Sequence, residues 1–222
     1  WERPLGVAIY LGGSGVLYSF MQPGWGLNVA TVITFIGFVA SLVASSAITV
    51  VATRVYYGFR YRNGGGRPAI DGSTLGIAAL SVAASRAVGF VPGYLYGVVV
   101  GWTPDHEGDE FDRGRVVAFS SVLTAAVAVV SWMLIPVCRD LAGSSVDSFA
   151  AIPLGLVAGL FVGGAHNLAI GLIPLDFLPG RTLQRHRRIT WLALWATGGF
   201  LFVPGRPRPG PRQGRAHALP AP

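Results

Sequence analysis

The chain has 222 residues, of which 52% are hydrophobic and 12% charged, and its formal net charge is +7. A soluble domain carries about 25% charged residues, and disordered chains are polar and charge-rich. Neither class fits, which leaves an integral membrane protein with polar loops. All 17 basic residues are Arg, accompanied by 31 Gly and 15 Pro, the bias that GC-rich codon usage produces. The Arg residues flank long apolar runs, a pattern of membrane topology rather than of nucleic-acid binding. A single Cys138 excludes an internal disulfide framework and a Cys-based zinc site; it reads as a small buried residue.

A helix that crosses a bilayer needs about 20 mostly apolar residues. The first candidate, 5–20, is apolar and rich in Gly, and another apolar run follows it, so it reads as a membrane segment rather than a signal peptide. The second and clearest, 28–53, contains no charge and ends at Arg54. Its small residues Ser41, Ala44, Ser45, Ser46 and Ala47 admit a close neighbour, and its hydroxyls can bond back to the helix's own carbonyls. Tyr56, Tyr57, Arg60, Tyr61, Arg62 and Arg67 then form an aromatic and basic border of the kind found at the headgroup level.

The region 73–102 is longer than one span needs. Pro92 lacks a backbone donor, and with Gly89 and Gly93 beside it the region is expected to break there. An acidic loop follows with Asp105, Glu107, Asp109, Glu110 and Asp112. It lacks the EF-hand spacing and reads as a solvated loop. The next run, 116–137, carries Pro136 near its end. The run 149–174 contains Gly155, Gly159 and Gly163, whose four-residue spacing predicts a close helix–helix seam. The last run, 189–203, is short for a span. The Pro/Gly/Arg tail 204–222 has almost nothing to bury and is expected to be disordered.

Topology constrains this plan. The strong basic clusters are 54–67 and 181–188, and basic loops stay cytoplasmic. One span per region would put them on opposite sides. Either the broken region 73–102 crosses an even number of times, as a re-entrant pair or two short spans, which is the preferred reading, or one cluster lies as an amphipathic collar on the outer face.

Four polar residues lie in or beside apolar surroundings: Arg86, His166, Asn167 and Asp176. Ionisable groups within a membrane are functional candidates by default. Each also has a plainer explanation. Arg86 can pair or snorkel, His166 can hydrogen-bond across helices, and Asp176 can cap the span or pair weakly with Arg181. The run from Asn167 through Pro174 to Asp176 echoes the Asn…Pro…Asp segment of site-2 intramembrane proteases. Zinc chemistry there also needs two His one turn apart with a Glu between them, and no HExxH occurs in this sequence. No Walker loop, dinucleotide fingerprint or GxSxG occurs either.

The run Gly171-Leu-Ile-Pro-Leu-Asp-Phe-Leu-Pro-Gly180 resembles the signature of the actinobacterial FGLLP motif-containing membrane proteins, through Gly171, Pro174, Phe177, Pro179 and Gly180. Ile170 replaces the family's first Phe, Ile173 its second Leu, and Asp176 stands where a basic residue is usual. Ser85-Arg86 and Phe90-Val-Pro-Gly-Tyr-Leu-Tyr-Gly97 resemble a recurrent segment upstream. The resemblance spans about 85–202 and implies a multi-span membrane protein. It carries over no catalytic residue.

The sequence thus predicts an all-α, polytopic transmembrane helical bundle over 1–203, with about five helical regions, one broken near Pro92. Its expected place is the bacterial plasma membrane, with the bilayer and other membrane helices as partners and neither nucleic acid nor a cofactor. The leading function is a non-enzymatic structural or accessory one. The alternatives are a small-solute transporter or channel-like protein using Arg86 and His166, and an intramembrane metalloprotease relative.

Overall fold

The computed structural model describes residues 4–21, 25–61, 66–69, 73–88, 101–104, 109–143, 149–176 and 178–202. They form seven helices and one short ribbon: α1 (Pro4–Met21), α2 (Val29–Tyr61), β1 (Gly66–Ala69), α3 (Ser73–Val88), β2 (Gly101–Pro104), α4 (Glu110–Ala142), α5 (Ile152–His166), α6 (Pro179–His186) and α7 (Arg188–Phe202). A 3₁₀ turn, Phe149–Ala151, leads into α5, and a π-helical turn, Asn167–Gly171, extends it. Three stretches are long and apolar enough to cross a membrane: Val29–Tyr61, Phe111–Ala142 and Phe149–Gly171. Less than a quarter of the apolar window of each is buried. Val32, Val43 and Val51 on α2 and Val122, Val130 and Met133 on α4 are among the residues left facing outward.

Local chemistry sets the ends. Asn28 accepts the Thr31 N–H at 2.8 Å, which satisfies one of the free donors of the first turn of α2. Along α2 the hydroxyls of Ser41, Ser45, Thr49 and Thr53 donate to carbonyls three or four residues back, so they enter an apolar helix without unmet bonds. α4 ends at Gly143, whose φ of 63° suits a residue without a Cβ and whose N–H reaches both Arg139 O and Asp140 O at 3.2 Å. Pro136 is accommodated inside the last turns of α4. Cys138 is half-buried.

The centre of the bundle is α2, α4 and α5. Gly155 and Gly159 face Gly37 and Ser41, so α5 runs parallel to α2. A Cβ at Gly37 would lie 3.0 Å from Gly155 Cα, and a Cβ at Gly159 would lie 2.7 Å from Ser41 Cβ. The predicted glycine seam stops there. Gly163 has open space beside it, and Gly164 meets α4 instead, where its Cβ would lie 2.8 Å from that of Ala128. α4 runs antiparallel to both neighbours: Ala142 closes a small core with Ile33 and Ala151 at one end, and Asp112 meets α2 at the other.

Several expectations are refined. The second helix continues past residue 53 through the Tyr/Arg border to Tyr61, and the third long helix starts at Glu110 rather than 116. The arginine cluster 181–188 contains a helix of its own, α6. Among the described residues of the region 73–102, Ser73–Val88 is helical, and Gly101 and Trp102 belong to the extended strand Gly101–Pro104; the break expected near Pro92 lies outside the described residues, as does the tail 204–222.

The ribbon decides the arrangement of the two ends. β1 and β2 pair antiparallel, Gly66 opposite Pro104 and Ala69 opposite Gly101. The loop after α2 and the loop before α4 therefore lie at the same end. α3 runs in the same sense as α1, from Leu75 beside Gly13 to Arg86 over Phe20. Val88 thus lies toward the far end from Gly101.

Candidate functional site at the arginine-rich end

The end where α2 finishes and α4 begins gathers most of the polar chemistry. Arg54, Arg60, Arg67, Arg113, Arg115, Arg181, Arg185, Arg187 and Arg188 belong to the elements meeting there. That is nine of the eleven described arginines; Arg86 and Arg139 lie toward the other end. Asp112, in the first turn of α4, is 3% exposed. Its carboxylate accepts the Tyr56 hydroxyl at 2.8 Å and also the Tyr61 hydroxyl, and Arg60 Nε lies 3.9 Å away. The Tyr/Arg border is thus the partner of Asp112, not merely an interfacial belt, and Asp112 is a buried helix residue rather than a solvated loop acid. Asp109 is exposed, and Asp105 and Glu107 lie outside the described residues.

α6 covers this end. Leu178 precedes it in extended conformation and Pro179 takes its first position, where the missing N–H costs nothing. Gly180 lies against the backbone of Leu172, so closely that a Cβ there would come within 2.6 Å of Leu172 Cα. Leu183 is fully buried with Leu168, Leu172, Trp191 and Leu194. His186 sits over Gly114, where a Cβ would meet its ring at 2.8 Å.

Beneath α6 lies the π-helical turn. Such a turn leaves carbonyls out of the regular ladder, and these need other donors. Two tryptophans of α7 supply them across the helix boundary: Trp191 Nε1 donates to Leu172 O at 2.7 Å and Trp195 Nε1 to Ala169 O at 3.0 Å. The two indoles, one helical turn apart, stack at 5.9 Å with 9° between planes. Gly198 completes the approach, since a Cβ there would lie 2.6 Å from Ala169 N.

The sequence candidates distribute unevenly. His166 is half-buried in the last turn of α5, where the π turn begins, and Asn167 opens that turn, exposed. The Asn167 side chain folds over Gly171, whose Cβ would lie 2.5 Å from its Oδ1. Pro174 follows in the bend to α6. Asp176 is exposed and forms an ion pair with Arg181 at 2.6 Å. Gly171, Pro174, Pro179 and Gly180 therefore build one junction, with Phe177 outside the described residues. Arg86 stands apart from it, exposed in the last turn of α3, its guanidinium 4.6 Å from the ring centre of Phe20, which in turn meets Trp25 edge-on at 5.1 Å. The structure does not bring Arg86 and His166 together. Asp112, Trp191 and Trp195 were missed in the sequence because their partners lie on other helices.

Among the described residues no group of three His, Cys, Asp or Glu side chains is arranged to hold a metal ion. No family model, no curated protein and no solved structure matches the chain.

Proposed function

We propose that the chain is a multi-pass integral protein of the bacterial plasma membrane with a structural or accessory role, its arginine-rich end facing the cytoplasm. The observation that carries this reading is the charge asymmetry of the folded bundle. Nine described arginines share one end and two lie toward the other, and an excess of basic residues marks the cytoplasmic side. Between Arg115 and Arg139 the apolar stretch of α4 is 23 residues, about 35 Å of helix, enough for a hydrocarbon core of about 30 Å. The outward apolar faces of α2 and α4 then meet lipid, which removes the objection that they would raise in water.

The resemblance to the FGLLP motif-containing membrane proteins belongs to this proposal. The residues that carry it support it by having a shared structural task, the turn from α5 into α6.

The test is cysteine accessibility in a Cys138→Ser background. Arg67→Cys on β1 and Thr103→Cys on β2 should both label from the cytoplasmic side, and Asp140→Cys at the far end of α4 from the opposite side. Labelling of positions 67 and 103 from opposite sides would overturn the topology. Release of the chain by alkaline carbonate would overturn the membrane assignment itself.

A further inference from the structure

We propose that the corner formed by Phe111, Arg115, Arg187 and Arg188 binds the phosphodiester headgroup of an anionic membrane lipid. The inference rests on the membrane assignment above and adds a ligand to it. Its starting point is the placement of His186 over Gly114, one residue before Arg115 and two before the apolar stretch of α4. That contact fixes the α6–α7 corner level with the border between charged and apolar residues, where headgroups lie.

Around it the cationic groups are held at a surface. Phe111 is half exposed, with the Arg115 guanidinium 4.2 Å from its ring centre and the His186 ring 5.7 Å away on the same residue. Directly after His186 the backbone leaves the helix: Arg187 has φ −147° and ψ 77°. Its N–H still reaches Leu183 O at 2.8 Å, and its carbonyl accepts from Trp191 N at 2.9 Å, so the corner is rigid at both sides. Arg187 and Arg188 are both exposed, and neither forms an ion pair with a described residue. Of the neighbouring carboxylates, Asp112 accepts from two tyrosines and lies near Arg60 and Arg115, and Asp176 pairs with Arg181, which leaves Arg187 and Arg188 as the corner's available cations.

Two exposed guanidiniums on consecutive residues suit a phosphate, whose oxygens accept charge-assisted N–H bonds. The Phe111 ring, on the cytoplasmic side of Gly114, packs against Arg115 and His186 and holds them at this level. A lipid phosphodiester is held at this level by the bilayer itself, whereas inorganic phosphate is not. Basic pockets between helices at the cytoplasmic surface are established receptors for such headgroups.

The full chain, purified in neutral detergent, would be examined by native mass spectrometry with dioleoyl-phosphatidylglycerol and dioleoyl-phosphatidylcholine. Phosphatidylglycerol should be retained in preference, and the Arg187→Gln/Arg188→Gln double variant should bind it about tenfold less. The Arg187→Lys/Arg188→Lys variant, which keeps the charge but loses the planar donors, should bind less than the parent and more than the Gln double variant. Arg139→Gln, at the other end of α4, should leave it unchanged. Equal retention of the two lipids, undiminished binding by the Gln double variant, or full displacement by excess inorganic phosphate would each overturn the assignment. Failure of the membrane assignment itself reads out separately, as carbonate release.

Discussion

Replacing Gly37 with Ala tests the seam on which the bundle is built. The added Cβ would sit 3.0 Å from Gly155 Cα and 3.2 Å from its carbonyl carbon. Non-bonded carbons settle at about 3.5–4.0 Å, so α2 and α5 must part by about 0.5–1 Å. Both opposing atoms are backbone, and no rotamer change relieves the contact. Overpacking of this sort costs about 1–3 kcal/mol. Alanine is also the better helix former by about 1 kcal/mol, which partly masks the loss. Gly163→Ala supplies the reference, because it gains the same propensity and meets nothing within 4 Å. The two variants should therefore differ in unfolding free energy by about 1–3 kcal/mol, with Gly163→Ala the more stable. Titration with sodium dodecyl sulfate in mixed micelles, followed by tryptophan fluorescence, measures that difference. If Gly37→Ala is as stable as Gly163→Ala, the backbones of α2 and α5 do not touch at this point and the parallel packing is wrong.

Trp191→Phe strands the Leu172 carbonyl and should destabilise the fold by about 1–2 kcal/mol in the same titration, more than Trp195→Phe, whose side chain is exposed. Gly180→Ala places a methyl group in the Leu172 backbone and should lift α6 off the bundle; a Leu183→Cys reporter, silent to maleimide in the parent, becomes reactive. Asp112→Ala leaves the Tyr56 and Tyr61 hydroxyls without their acceptor. Amide hydrogen exchange in the first turns of α4 should then accelerate while that near Ala142 does not change, and equal exchange at both ends would refute the anchoring role.

What the sequence conveys follows from the range of the forces involved. The apolar runs are legible because each helix must satisfy its solvent on its own, and a run of 20 residues without a charge leaves few alternatives. The even crossing count expected from the two arginine clusters turns on residues 89–100, outside the described residues. The ribbon was not legible, because Gly66 and Pro104 are far apart in sequence and carry no strand pattern of their own. α6 escaped notice because only Gly180 and Leu183 of its eight residues are buried, too few to form a periodic signal. The glycine spacing identified a seam but not its partner: Gly155 and Gly159 serve α2, and the helix has turned to α4 by Gly164. Asp112 was grouped with the acids beside it in sequence, whereas its environment is made by tyrosines of α2. His166 and Asn167 stood out correctly as polar residues in an apolar run, yet the feature that sets them off, the π turn, depends on indole donors from α7.

The β1–β2 ribbon has a consequence for how such a chain can be altered. Because Ala69 and Gly101 are paired opposite one another, the two ends of the segment that holds α3 are separated by a gap one strand spacing wide, about 5 Å. A two-residue hairpin turn could close the gap without moving the end of α2 or the start of α4. The loss would fall on α1, against which α3 packs, while the α2–α4–α5 unit and the α6 cover would keep every neighbour described above.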